Sequence, residues 1–363
     1  MQYKSIEDEY LVLSESPKGF LYNRSRSTEY NILQEQLLNR YPDASECIIT
    51  SSGMQSISAT IYGIFIHHNF EPFNLVYSNE LYCDTPRLFK FFSESYKNVK
   101  LHEVGVTENG KIVDLFQKKL NKQNNILFFE SCSNPNGNVF DFSILDRIKN
   151  LSNLLYVVID NTWLSDVIFN PLTIKCVDFV VLSTTKYYSA GMCIGGAVLG
   201  RNKPVMKSVH EWMRINGHHV SPHNCEITSH GLRSIDQRIL SSSDTTKSVI
   251  EFLFKHKDVH GVSHPSLNSH STNHLAKKYF KQDIIPSTFT FKVKGSRKDV
   301  LRILSTCKIL EHKTSFGARM SRTDPWPVET KDGFTIVRLS IGYEDTSERI
   351  IEGLNEILKR LSL

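Results

Sequence analysis

Four residues, Ser183-Thr184-Thr185-Lys186, follow directly on the apolar run Phe179-Val180-Val181-Leu182. The β-branched run reads as a buried strand, so the hydroxyls and the lysine fall at its carboxyl end. Hydroxyls in that position can bond a phosphate, and a partly desolvated lysine can be neutral and nucleophilic. The plain alternative is a strand end carrying a solvated lysine. The turn Ser51-Ser52-Gly53 is a second candidate anion cradle. It lies between the strand-like Cys47-Ile48-Ile49-Thr50 and a helix expected to begin near Met54 or Gln55. The free N–H groups and positive dipole end of a helix favour an anion, although an ordinary strand-to-helix turn reads the same way.

These residues need a scaffold, and the chain offers a repeating one. Asn74 to Ser78, Ile126 to Phe129 and Leu154 to Ile159 are further apolar runs with helix-length connections between them. Two of these runs end in polar residues, Glu130-Ser131-Cys132-Ser133-Asn134-Pro135 and Asp160-Asn161-Thr162. Continuous apolar runs of this kind suggest a mostly parallel sheet covered on both faces, whose ligands bind beyond the carboxyl ends of the strands. Asp160 and Lys186 then share one rim. An aspartate there can keep a pyridinium nitrogen protonated while the lysine holds an aldehyde, and Tyr82 can stack on the ring. This is the chemistry of a pyridoxal phosphate (PLP) site. Taken singly, Asp160 reads as a helix cap, Tyr82 as packing and Asn134 as a turn residue. The spacing Gly105 to Lys111 imitates a P-loop, but Ile112 stands where a metal-binding hydroxyl belongs, so the match is chance.

Beyond about residue 231 the pattern changes to a smaller α+β unit. Val249 to Leu253 and Leu301 to Leu304 read as helical, Ser287 to Val293 and Phe334 to Ile341 as strands, and Ile350 to Leu361 as a final helix. Arg338 lies inside an apolar strand, which is costly unless its charge is paired. It is either a structural ion pair or a clamp for a substrate carboxylate. His218, His219, His223, Cys225 and His230 fit no standard zinc spacing, so we expect no metal.

The 363 residues are 40% hydrophobic and 22% charged, the profile of an ordinary globular protein. The net charge of +5 is interspersed, which gives no footprint for nucleic acid. No apolar run approaches the ~20 residues of a membrane span, and no membrane partner is expected. Seven scattered cysteines and a charged first decapeptide suggest reduced thiols and a cytoplasmic protein.

Read together, several blocks resemble the cysteine/methionine-metabolism PLP enzymes, the family of cystathionine γ-synthase, the cystathionine lyases and methionine γ-lyase. The blocks are SSGM at 51–54, LYCDTPRLF at 81–89, ESCSNP at 130–135, VVIDNTWLSDVIFNP at 157–171, STTKY at 183–187, HGLRSIDQRI at 230–239 and VRLSIGYED at 337–345. The resemblance implies an α/β, aspartate-aminotransferase-like (fold type I) enzyme. It would have an amino-terminal arm and helix (1–43), a large PLP-binding domain with a mostly parallel sheet (44–230) and a small C-terminal α+β domain (231–363). It implies that Lys186 carries the cofactor, Asp160 pairs with its ring nitrogen and Tyr82 stacks on the ring. Ser52, Gly53, Met54, Ser183 and Thr185 would hold the phosphate. Tyr22 and Arg24 match a YxR motif that reaches the phosphate of a neighbouring subunit, which implies a homodimer sharing active sites and possibly a tetramer. Asn134, Ser315 and Arg338 would receive the substrate carboxylate.

The departures are as specific as the matches. Ser27-Thr28-Glu29 stands where the family reads Asn-Pro-Thr, and Ser189 to Ile194 lacks the family's histidine and aspartate. The segment before Tyr22 is shorter than the one that commonly helps build the tetramer. Met320 replaces the glutamate of several γ-specific members, and a thioether cannot bind an amino group as a carboxylate can. Arg319, Arg322 and Trp326 beside it are placed to recognise another group. The resemblance implies a PLP-dependent lyase or synthase of the transsulfuration type, catalysing β/γ-elimination or γ-replacement on a sulfur-containing or O-acylated amino acid. Two alternatives are a specialised γ-replacement enzyme joining a C4 unit to a nucleophile other than cysteine, and a catalytically silent PLP-binding protein.

Overall fold

The structure, a computed structural model, describes residues 27–327 and 332–362. The chain begins with α1 (Thr28–Arg40), β1 (Glu46–Thr50), α2 (Gly53–His67), β2 (Phe73–Ser78), α3 (Asp84–Ser95), β3 (Val99–Val104), α4 (Asn109–Lys118) and β4 (Asn124–Glu130). There follow α5 (Leu145–Leu151), β5 (Leu154–Asp160), α6 (Ser165–Ile168), β6 (Phe179–Leu182) and β7 (Gly196–Gly200). These strands make one seven-stranded sheet in the order β1-β7-β6-β5-β4-β2-β3. The pairs from β3 through β2, β4 and β5 to β6 are parallel, and β7 runs antiparallel to both of its neighbours. The expected parallel sheet is therefore present, with one reversed strand that no local pattern announced.

Both faces of the sheet's central strands are buried. Alternate residues point to opposite sides, so each parallel strand feeds two cores. Val157 and Ile159 join one cluster with Phe129, Phe140 and Trp163, while Tyr156 and Val158 join the other with Phe89, Phe128 and Met206. Helix α1 turns Leu33 and Leu37 into the first cluster and leaves Ile32 in solvent, 46% exposed. Its start shows what Ser27-Thr28-Glu29 does. The Ser27 hydroxyl accepts the Tyr30 N–H at 3.1 Å, capping the helix.

After β7 come α7 (Lys203–Ile215), α8 (Pro222–Leu232), α9 (Ile235–Lys255), β8 (Val259–Ser263), α10 (Asn273–Tyr279), β9 (Thr288–Lys294), α11 (Arg297–Ser305), β10 (Glu311–His312), β11 (Arg322–Pro325), β12 (Phe334–Ser340) and α12 (Ser347–Leu361). The strands form a second sheet, β10-β11-β12-β9-β8, antiparallel except for the β10–β11 pair. A third core, including Val249, Phe289, Leu339 and Leu354, lies against it. Helix α9 bridges the layers: Ile235 and Ile239 belong to the core of the large sheet, and Val249 and Leu253 to that of the small one.

Candidate active site

Parallel strands in one register bring their carboxyl ends to a common edge. Glu130 at the end of β4 is directly opposite Asp160 at the end of β5, and Asp160 is opposite Val181, two residues before Ser183. The structure thus gathers Asp160, Ser183, Thr185 and Lys186 beyond the same sheet edge as the 131–138 loop.

The two candidate anion-holding segments meet there. Gly53 opens α2, so its N–H belongs to the first turn, which has no intrahelical partner. Ser52 caps that helix, its hydroxyl accepting the Gln55 N–H at 3.2 Å. A Cβ on Gly53 would lie 2.6 Å from the Ser183 Cβ and 3.1 Å from its Oγ, so only glycine allows the helix start to reach this close to the β6 loop. The Ser183 N–H is held by the Thr162 hydroxyl at 2.8 Å. Thr185 is partly committed elsewhere, its Oγ1 exchanging hydrogen bonds with Gly195 at 3.2 Å. Met54 is half-buried against the second core.

Lys186 is the electrostatic centre. Burial, with Arg338 and Arg322 nearby, lowers its pKa from the usual 10.5 to about 8, opposed by the Asp160 carboxylate. Its Nζ donates to Ser315 Oγ at 2.6 Å and lies 5.3 Å from the Phe316 ring centroid. The loop bearing Ser315 presses on the lysine backbone. A Cβ on Gly317, at φ +72°, would come within 2.9 Å of the Lys186 carbonyl carbon. Asp160 accepts the Thr162 N–H at 2.9 Å, and its burial raises its pKa against the pull of Thr162 and Lys186.

Arg338 enters from the other sheet. Its Nη1 donates to Asn134 Oδ1 at 3.3 Å, its Nη2 is 3.7 Å from Asp324, and its guanidinium lies 5.4 Å from the Trp326 ring centroid. Arg338 is 7% exposed, so a charge with one long ion pair among the described residues is retained in a nearly dry place. Tyr82 lies on the loop after β2 with 44% of its surface exposed, and its N–H donates to Glu130 at 2.5 Å. Met320 is half-buried on the loop that follows Ser315, its backbone against Gly342. Tyr22 and Arg24 lie outside the described residues.

Sequence reading overlooked Glu130, Thr162, Asp324 and Phe316 as members of this neighbourhood. Glu130 and Thr162 sat inside blocks already singled out, and Asp324 is two residues from both Arg322 and Trp326, the spacing that places strand residues on one face. The histidine-rich segment reaches the site through its backbone: the His218 carbonyl accepts the Ser51 N–H at 3.1 Å. Among the described residues no three His, Cys, Asp or Glu side chains gather as metal ligands, and no helix is long and apolar enough to cross a membrane.

The residues fit PLP: a desolvated lysine, a half-buried aspartate near it, and a glycine-opened helix start against a serine hydroxyl. Comparison with known proteins agrees. The sequence profile of the Cys/Met metabolism PLP-dependent enzymes matches residues 2–359. An L-methionine gamma-lyase of Treponema denticola is 26% identical over 361 residues, covering 95% of this chain and 86% of that protein. An O-succinylhomoserine sulfhydrylase of Pseudomonas aeruginosa is 24% identical over 346 residues, covering 91% and 81%. In fold, the chain is similar to the crystal structure of cystathionine gamma synthase from Xanthomonas oryzae pv. oryzae, with a TM-score of 0.83 at 24% identity over 94% of this chain and 88% of that one. With the profile match running almost from end to end, the chain belongs to the Cys/Met metabolism PLP-dependent enzymes, fold type I lyases and synthases of cysteine and methionine metabolism.

Proposed function

We propose that this enzyme removes a sulfur or acyloxy leaving group from Cβ or Cγ of an amino acid, followed by hydrolysis or by capture of a nucleophile. The observation that carries the reading is Lys186, an amine lowered to about 8 and hydrogen-bonded to Ser315, beside the Arg338–Asn134 pair. An amine tuned to this range takes and returns protons near neutral pH.

Bound PLP supplies an electron sink for negative charge at the substrate Cα. Lys186, with Ser183, Gly53 and Met54 at the phosphate and Asp160 at the ring nitrogen, would hold the cofactor. Arg338 and Asn134 bind the substrate carboxylate and orient the Cα–H bond toward Lys186 Nζ. Lys186 takes that proton, and Tyr82 assists its transfer toward the departing group. A dimer sharing sites through Tyr22 and Arg24 belongs to the same reading.

A second reading, γ-replacement on an O-acylated C4 amino acid by a nucleophile other than cysteine, has its own support. Met320 offers no charge to a distal amino group. Arg322 lies opposite Ser340, two residues from Arg338 on the neighbouring strand. Its buried Nε has no hydrogen-bond partner among the described residues, and its nearest carboxylate, Glu311, is 3.9 Å away. Such a cation suits an acidic acyl group.

The test is the absorption spectrum of the PLP-loaded protein with cystathionine, cysteine, methionine and O-succinylhomoserine, with 2-oxo acid and thiol release followed together. A band that shifts with one of them, and is lost in Lys186→Ala, supports the reading and names the substrate class. A response to O-succinylhomoserine alone favours the second reading. A protein that cannot be loaded with PLP overturns both.

A further inference from the structure

Two carboxylates in the neighbourhood have no part in the chemistry above, and they point at each other's loops. Glu130, at the end of β4, reaches the backbone of the loop after β2: the Tyr82 N–H donates to its Oε1 at 2.5 Å. The Asn134 N–H also acts on the same carboxyl group, whose pKa burial and the nearby Asp160 raise well above the usual carboxylate range against the pull of these two N–H groups. In the other direction Glu80, on the loop after β2, reaches the loop after β4. Its carboxylate accepts from the Ser133 hydroxyl, from Asn136 Nδ2 at 3.0 Å and from Asn138 Nδ2 at 3.0 and 3.2 Å. Strands β2 and β4 are neighbours in the sheet, so the two loops leave it side by side.

Neither carboxylate has a salt-bridge partner among the described residues. Glu130 is 6% exposed and Glu80 is half-buried. A carboxylate that only bridges chain segments would gain more from a lysine or arginine, whereas here Glu80 is met by three neutral donors. Such donors form strong charge-assisted bonds of defined direction. The donors are themselves fixed. The Ser133 hydroxyl accepts the Asn138 N–H at 3.0 Å, the Asn136 carbonyl accepts Ser263 Oγ at 2.9 Å and bonds His270 Nε2 at 3.1 Å, and Asn138 Oδ1 accepts Ser271 Oγ at 3.2 Å. Each loop carries one residue of the site, Tyr82 on the first and Asn134, the partner of Arg338, on the second.

We propose that Glu80 and Glu130 are positioning residues, a reciprocal clasp of two acidic side chains that locks the Tyr82 loop to the Asn134 loop so that the ring-facing tyrosine and the substrate-carboxylate pair move as one unit. This inference rests on the functional reading above for the roles of Tyr82 and Asn134, while the clasp itself is a property of the fold. Its loss releases Asn134 from its place against Arg338, so substrate affinity falls more than turnover.

The experiment compares wild type, Glu80→Ala and Asn138→Asp as PLP-loaded proteins. The second variant keeps the loop and sets one carboxylate against another, so the test survives if the first folds poorly. Hydrogen–deuterium exchange is read over residues 79–85 and 131–138, and kcat and KM are read on whichever substrate the wild type turns over. We expect at least tenfold faster exchange in both segments, a KM raised about tenfold, kcat changed less than threefold and the cofactor band retained. Adding Asn134→Ala to Glu80→Ala should raise KM no further than Asn134→Ala alone. Exchange that quickens in only one segment, or an unchanged KM with an apparent kcat that falls in proportion to the folded fraction, overturns the clasp. A wild type inactive on every substrate offered defeats the functional reading, and the exchange result then decides the clasp by itself.

Discussion

Lys186 Nζ and Ser315 Oγ are 2.6 Å apart, joined across 129 positions of sequence. Ser315 holds its place at φ +84°, a left-handed conformation that a side chain adopts at a cost of about 1 kcal/mol. Ser315→Gly should relieve that cost and delete the acceptor for the lysine at once. We expect an unchanged or slightly raised Tm together with a kcat/KM reduced about tenfold. Thermal melts run beside steady-state kinetics check it, and a loss of activity that merely tracks a loss of stability would contradict it.

Lys186 also strains the cofactor-free protein. An unfolded lysine titrates near 10.5 and the folded one at about 8, so between those values the unfolded chain binds the extra proton. Stability therefore rises with pH through that window, and below pH 8 the full penalty of about 3 kcal/mol stands. Lys186→Met should stabilise the cofactor-free protein at pH 7 by up to that amount, and the gain should vanish above about pH 10.5. Denaturant titrations of both proteins at pH 7 and pH 10.5 measure it.

Gly53→Ala should weaken the cofactor cradle rather than the fold. The added methyl group would lie 2.6 Å from the Ser183 Cβ, and the loop must yield. The affinity for PLP, measured by absorbance titration, is expected to fall at least tenfold. Ser183→Gly in the same protein removes the closest contact, leaving the Cα of residue 183 at 3.0 Å, and should restore only part of the loss, because the hydroxyl is then missing as well.

Arg338→Lys tests planar recognition. Lysine keeps the charge near Asp324 but loses the fork that a carboxylate and Asn134 can share. We expect KM for the amino-acid substrate to rise about a hundredfold with kcat changed much less. Arg338→Ala should cost stability in addition, since the Asp324 carboxylate loses its guanidinium partner.

Local pattern reached far into this protein. The apolar runs ending at Glu130, Asp160 and Leu182 announced parallel strands, because a strand buried on both faces has to be apolar throughout. The polar residues at their ends then had to share a rim. Ser51-Ser52-Gly53 was legible as a turn into a helix, although the helix begins at Gly53 rather than at Met54 or Gln55, and the burial of Arg338 followed from the strand around it. The blocks themselves were specific enough to indicate the family. The tertiary structure alone decided what no stretch of sequence carries. Strand β7 runs against its neighbours, and Asp160 stands opposite Glu130 by the register of a pair separated by thirty residues. Arg338 meets Asn134, and Glu80 meets Ser133, Asn136 and Asn138, across different elements. The physical reason is common to all of these. Burial and periodicity are written into neighbouring residues, whereas register and loop-to-loop contact depend on how whole elements stack, and that depends on the packing of the entire core.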